Sequence, residues 1–131
     1  QKYALFMIDI DDFKAINDSY GHMEGDAVIA QTALQLKKLF SPADITGRFG
    51  GDEFIVFFDE ISDRKEIEEK AEKIKEMLRS AGMNVSFSVG IAVSEGRNMT
   101  FEVLYKKADS ALYATKQRGK DGYTIYTMSE V

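Results

Sequence analysis

The residues best suited to chemistry are carboxylates, and they fall in two groups. Asp9, Asp11 and Asp12 crowd the end of an apolar run, with Asp26 further on, and Asp52 and Glu53 follow directly on Gly50 and Gly51. If folding brings the groups together, their repulsion is most simply relieved by a hard divalent cation with oxygen ligands, Mg²⁺ or Mn²⁺. Acids in turns also serve as ordinary solvated caps, so these residues taken alone are open to both readings. The glycine pair is equally double. A tight hairpin uses glycine for positive φ, and glycine also lets a phosphate come close to the backbone. Lys116 and Lys120 lie near the end of a predicted helix, where basic side chains answer the helix dipole. His22 is the only histidine, and one imidazole beside a turn glycine is a poor basis for a zinc site or a catalytic triad, so it is read as structural. The chain has no cysteine, which excludes a disulfide scaffold and any thiolate ligand or nucleophile.

These groups need elements to position them. Tyr3 to Ile10 is a β-branched and aromatic run that stops at the acids, short enough for a buried strand. Phe13 to Tyr20 makes a short helix ended at Gly21-His22, and a longer helix follows from about Glu24 to Phe40, with Ile29, Ala33, Leu36 and Phe40 on one face. Ile45 to Phe49 and Phe54 to Phe58 are two short strands, with Gly50 to Glu53 as the turn between them. The clearest helix runs from Asp63 to Ala81, with Ile67, Ala71, Ile74, Leu78 and Ala81 on one face, Asp63 or Ser62 as cap and Gly82 as stop. Val85 to Val93 alternates large and small residues, which predicts a strand covered by helices on its large-residue face. A last helix spans Thr100 to Arg118, with Phe101, Leu104, Ala108, Ala111 or Leu112, and Thr115 along its inner side, and Tyr123 to Met128 is a terminal strand. The order β-α-α-β-β-α-β-α-β predicts an α/β (α+β) domain with a five-stranded mixed sheet and helices on its faces.

Composition sets the outer limits. At 131 residues, with 44% hydrophobic and 30% charged residues, the chain is one globular domain's worth. A net charge of −5 argues against a nucleic-acid polymer as partner, since that needs a broad basic face. It leaves open a single nucleotide, which requires only a local cluster of cations, N–H groups and metal ions. No apolar run approaches a membrane span and the start is no signal peptide, so direct membrane insertion is not expected and cytoplasm is the default location. The chain has no initiator methionine and reads as a fragment of a longer protein.

The string Gly50-Gly51-Asp52-Glu53-Phe54, preceded by Arg48-Phe49, resembles the signature of the GGDEF family. It is joined by Asp9-Ile10-Asp11-Asp12-Phe13-Lys14-Ala15-Ile16-Asn17-Asp18, by Tyr20-Gly21-His22 with Gly25-Asp26, and by Ala108-Asp109, Ala111-Leu112-Tyr113, Lys116 and Gly119, in the family's order and spacing. The resemblance covers the whole chain. It implies a nucleotide-cyclase-like fold and a diguanylate cyclase, which condenses two GTP into cyclic di-GMP and two pyrophosphates as a dimer with one GTP per domain. It further implies two Mg²⁺ or Mn²⁺ ions per site on Asp9, the carbonyl of Ile10 and Asp52, with Glu53 supporting the second. Asp52 would also help deprotonate the attacking hydroxyl. Asn17 and Asp26 correspond to guanine readers, whereas without the resemblance they would read as helix caps. Lys116, Lys120 and the N–H groups near Asp12 and Phe13 correspond to triphosphate contacts.

Three departures qualify the resemblance. Lys120-Asp121 stands where the family has Arg-Asn, which keeps the charge and loses the bidentate fork. Ser41-Pro42-Ala43-Asp44 stands where an Arg-x-x-Asp product-inhibition motif is usual, so the aspartate remains and the arginine is absent. The chain also begins after the helical segment that normally precedes the first strand, so residues 1–131 would be a domain lacking that segment, with part of its sheet less covered and its activity in isolation uncertain. The expected partners are GTP, a second copy of the domain, and an upstream sensor or receiver module in the parent protein, which could itself be membrane-anchored. The alternatives are a non-catalytic GTP-binding regulatory domain and an interaction domain that binds no nucleotide.

Overall fold

The computed structural model describes residues 3–40, 44–48, 50–59, 61–95 and 99–128, so Ser41, Pro42 and Phe49 lie outside the described residues. Tyr3–Ile10 forms β1, and every residue after Tyr3 in it is buried. A strand apolar on both faces belongs in the middle of a sheet. β1 does so, pairing antiparallel with β3 (Glu53–Phe58) on one side and β4 (Phe87–Ser94) on the other. β2 (Ile45–Arg48) closes one edge as the hairpin partner of β3. β5 (Gly122–Met128) lies parallel to β4 at the other edge, for an order of β2-β3-β1-β4-β5. That parallel pairing requires a crossover, supplied by a helix between the two strands.

Among the described residues the helices are α1 (Phe13–Tyr20), α2 (His22–Leu39), α3 (Arg64–Glu76) and α4 (Phe101–Gln117). The expected element order is the observed one. On one face of the sheet Ala4, Phe6, Ile8 and Ile10 pack with Val28 and Leu36 of α2 and Ile67 and Ile74 of α3. On the other, Leu5 and Met7 pack with Ala92 and with Leu104, Ala108 and Leu112 of α4. Among the described residues no helix is long and apolar enough to cross a membrane.

Several local expectations are corrected and one is extended. β4 is covered on its large-residue face as expected, and its small-residue face is covered too: α4 lies directly on it, and a β-carbon at Gly90 would sit 2.2 Å from the Ala108 carbonyl oxygen and 2.2 Å from the Leu112 nitrogen. Smallness there marks the closest helix-to-sheet approach rather than exposure. The buried line of α2 is Gly25, Val28, Thr32 and Leu36, with Ile29 and Ala33 only partly buried beside it. Periodicity overlooked Thr32 because it is polar, yet its hydroxyl donates to the Val28 carbonyl at 2.8 Å and so enters the core satisfied. α3 is regular only to Glu76 and continues as turns to Gly82, where φ is +84°, so Ala81 is exposed rather than on the buried face, as is Phe101 at the start of α4. Its N-cap is as read: Asp63 Oδ1 accepts from Glu66 N at 3.0 Å, while Glu66 Oε1 accepts from Ser62 N at 2.9 Å. Glu53 is not in the hairpin turn but is the first residue of β3, directly opposite Asp9.

Candidate active site

Strand pairing assembles the acids at the end of β1. Asp9 stands opposite Glu53 of β3 and Ser88 of β4, and the Ile10 N–H donates to the Asp52 carbonyl at 3.1 Å, which stitches the hairpin turn to the strand end. Arg48 steadies the same turn, its Nε and Nη2 donating to the Gly51 carbonyl at 3.2 and 2.7 Å. Asp9 is only 7% exposed. Its Oδ2 pairs with Lys116 Nζ from α4, whereas its Oδ1 is buried with no hydrogen-bond partner.

The electrostatics follow from this placement. Burial, reinforced by the negative charge of Asp52 and only partly offset by Lys116, raises the Asp9 pKa to about 6. Glu53 is raised too, first by burial and then by Asp52. Burial works against the Lys116 ammonium, yet its hydrogen bond to Asp9 and the charges of Asp9, Glu53 and Asp52 hold its pKa above the ordinary lysine value. Three acids thus surround one lysine. Among the described residues no three acidic or histidine side chains form a ready-made metal-ligating group. The donor chemistry nevertheless fits a hard divalent cation. A buried carboxylate oxygen lacks a partner, the carboxyl's pKa is raised by burial and then by a neighbouring acid, and both strains are relieved by positive charge with oxygen preference.

Asp11 does not join this group. It is buried and fully engaged, accepting from Ser86 Oγ at 2.7 Å, Ser88 Oγ at 2.6 Å and the Asp121 N–H at 3.0 Å. That makes it an anchor between the β1–α1 turn and the α4–β5 turn, a role sequence reasoning missed because its partners are 75 to 110 residues away. Asp12 is exposed, left-handed at φ +55°, and accepts from Lys120 Nζ at 2.8 Å. Lys120 is itself at φ +66°, so the two turns that face each other across the site are both tightly bent. α1 begins at Phe13, and its first internal hydrogen bond is Ile16 N to Asp12 O, which leaves the N–H groups before it available to an anion.

Asn17 and Asp26 lie where α1 meets α2. Asn17 is half-buried with its amide oxygen against Gly25, and Asp26 is the exposed neighbour of that glycine. The structure therefore unites Asp9, Asp52, Glu53 and Lys116, joins Asp12 to Lys120 beside them, and holds Asn17 near Asp26 on the adjoining helices. Asp44 is half-buried just before β2, and Ser41 lies outside the described residues. A cavity of about 310 Å³ adjoins the β1–α1 turn, lined by Asp11, Asp12, Ser19, Arg79, Asn84 and Ser86 among others. A larger cavity, about 500 Å³, is a separate apolar groove between Tyr3, Ile55, Phe57 and the start of α4, with no acid in its lining.

Comparison with known proteins identifies the family and agrees with the fold. Residues 1–122 match the family model described as diguanylate cyclase, GGDEF domain. Diguanylate cyclase A of Treponema denticola is 36% identical over 132 residues, covering 93% of this chain and 34% of its own length. The GGDEF domain of YfiN from Pseudomonas aeruginosa superposes with a TM-score of 0.87 at 29% identity, covering 95% of this chain and 77% of that one. The GGDEF domain of DgcB from Caulobacter crescentus, crystallised in complex with c-di-GMP, superposes at 0.83 with 29% identity and the same coverage, 95% and 77%. This chain spans about a third or less of the length of the curated relatives it matches. With the signature, the strand order and the family match all in agreement, the chain belongs to the GGDEF family of diguanylate cyclase domains.

Proposed function

We propose that this domain joins two GTP molecules into cyclic di-GMP with release of two pyrophosphates, each of two domains holding one GTP and presenting it to the other. The observation that carries the reading is buried Asp9, with one partnerless oxygen, set beside Asp52, Glu53 and Lys116. Two Mg²⁺ or Mn²⁺ ions held by Asp9, the Ile10 carbonyl and Asp52, with Glu53 in support, would supply charge stabilisation on phosphoryl oxygens and a more acidic attacking hydroxyl.

The chain's own residues bind and orient. The N–H groups at the start of α1, around Asp12 and Phe13, take phosphate oxygens, as do Lys116 and Lys120. Each lysine already pairs with an acid, Asp9 or Asp12, so phosphate binding exchanges one anionic partner for another. Asp26 accepts from guanine N1–H and N2–H₂, and the Asn17 amide complements the acceptor edge. Adenine offers no such donor pair, and a site left with unpaired polar groups discriminates strongly. The 3′-oxygen of one GTP then bonds to the α-phosphorus of the other, the bond from that phosphorus to the bridging oxygen breaks, and pyrophosphate leaves. The hydroxyl proton passes to Asp52 or to solvent. A second round closes the ring.

The second copy, an upstream sensor or receiver module in the remaining length of the parent protein, and a cytoplasmic site with access to GTP all belong to this proposal. The chain fused to a dimerising coiled coil and incubated with GTP and Mg²⁺ is expected to yield one new product at the mass of cyclic di-GMP. GTP with Mg²⁺ is also expected to raise the melting temperature through binding linkage. A thermal shift without product would instead indicate a non-catalytic GTP-binding regulatory domain. No shift at all would overturn both readings.

The absent arginine at Ser41 leads to a second expectation. Arginine supplies a fork of donors and a stacking plane that serine lacks, so the retained Asp44 is proposed to be the remnant of a lost product-inhibition site. Calorimetric titration of cyclic di-GMP should find no tight saturable binding, and Ser41→Arg should strengthen it. Tight binding that disappears in Asp44→Ala would refute this.

A further inference from the structure

Gly25 occupies the fourth position of α2, where glycine is a poor choice. In a helix it costs up to about 1 kcal/mol relative to alanine, so its presence away from the helix end asks for a packing or functional reason. The reason is visible in what a side chain there would meet. A β-carbon on Gly25 would fall 1.8 Å from Asn17 Oδ1, 2.9 Å from Asn17 Cγ and 3.3 Å from the Phe13 ring. Gly25 is buried and Asn17 half-buried, although the residues around them, Ser19 to Glu24 and Asp26, are exposed. The amide of Asn17 therefore rests in the space that the missing side chain leaves on α2.

The atoms that would collide matter more than the collision itself. The nearest neighbour is the far end of a rotatable side chain, not backbone, so an added methyl would be accommodated by Asn17 swinging away, with the Phe13 ring yielding a few tenths of an ångström. The helix pair would survive, and alanine's better helix propensity would favour it. What would be lost is the fixed orientation of one amide. An Asn side chain has a rotatable amide with donor and acceptor ends, and it reads a partner only when something holds it.

We infer that Gly25 is a positioning residue for base recognition, a socket on α2 that fixes the Asn17 amide beside Asp26. This rests on the reading of Asn17 and Asp26 as the guanine contacts and adds to it how the Asn is held. Gly25 need not touch the nucleotide.

The test is titration of GTP and ATP, each with Mg²⁺, into the 131-residue chain and its Gly25→Ala, Asn17→Ala and doubly substituted variants, with melting temperatures measured alongside. Gly25→Ala is expected to melt within a few degrees of the parent. Its GTP affinity should fall on the order of tenfold, the effect of losing one hydrogen bond with its partner left desolvated, while ATP binding changes little. In the Asn17→Ala background the same glycine substitution should cost nothing further, because there is no amide left to displace. Unchanged GTP affinity in Gly25→Ala, equal losses for GTP and ATP, or an undiminished loss in the Asn17→Ala background would each overturn the inference while leaving the guanine contacts standing. Should Gly25→Ala fail to fold, recovery of the fold in the double variant would support the socket, and failure to recover would overturn it. Asn17→Ala with its preference for GTP over ATP intact would remove the base-reading assignment, and the role of Gly25 with it.

Discussion

Asp9→Asn is expected to abolish cyclisation and, in chelator-treated protein at neutral pH, to raise the melting temperature. The two effects share one cause. Asp9 is held ionised in a buried position, beside another acid and with one oxygen unpartnered, which costs the ligand-free fold and leaves a site ready for a cation. The direction with pH follows from linkage. The folded pKa of about 6 lies above the ordinary aspartate value of 3.8, so the folded state binds this proton more tightly. Stability from Asp9 is then fully present below the unfolded value, is lost as pH rises toward 6, and stays lost above it. Two pKa units set a ceiling of about 3 kcal/mol at pH 7, so a gain of several degrees for the asparagine variant is the scale to look for. The gain should shrink as pH falls from about 6 toward 4, where the native carboxyl takes up its proton, and be absent below that. Calorimetric melting with chelator across pH 4 to 8, paired with a turnover assay, checks both halves. Turnover near that of the parent would remove Asp9 from the metal set, and an unchanged or lower melting temperature would show that burial of the charge is not a net cost.

The largest structural effect is expected at Gly90. Its missing β-carbon would lie 2.2 Å from two backbone atoms of α4 and 2.7 Å from the Leu112 Cα. Backbone inside a helix cannot rotate aside, so Gly90→Ala must lift α4 off the sheet. Lifting it also breaks the bond from Thr115 Oγ1 to the Val89 carbonyl, now 2.9 Å, and carries Lys116 away from Asp9. A loss of at least about 3 kcal/mol is expected, at the upper end of what overpacking costs. Urea denaturation measures it directly. An alanine variant within about 1 kcal/mol of the parent would mean that α4 does not rest where it is described.

The contrast with Gly25 shows how much of this molecule is legible in its sequence. Both are glycines in regular elements, and nothing local separates one that meets backbone from one that meets a side-chain tip. The elements themselves were readable, because each is written in nearest-neighbour terms: the uninterrupted apolar run of β1, the four- and three-residue steps of α3 and its Asp63 cap. The pairing of acids at the end of β1 was readable only as a possibility until strand register set Glu53 opposite Asp9. Asp11 illustrates the limit. It sits between two aspartates that face the site, and only contacts with Ser86, Ser88 and Asp121 mark it as an anchor. The salt bridge from Asp9 to Lys116 is likewise invisible without the α4 crossover, which brings Lys116 to the end of β1.

The central place of β1 bears on how the protein must be made. β1 leaves the ribosome first among the strands, yet the partners that flank it, β3 and β4, come much later in the chain, β4 ending only at Ser94. At roughly 5–20 residues per second, several seconds separate completion of β1 from completion of β4. Until β3 is complete at Phe58 the sequence Ala-Leu-Phe-Met-Ile, apolar on both sides, has no neighbour in its sheet, and one of its edges stays open until β4 follows. β1 is therefore the segment a nascent-chain chaperone would be expected to shield, and the one through which slowly folding variants would aggregate.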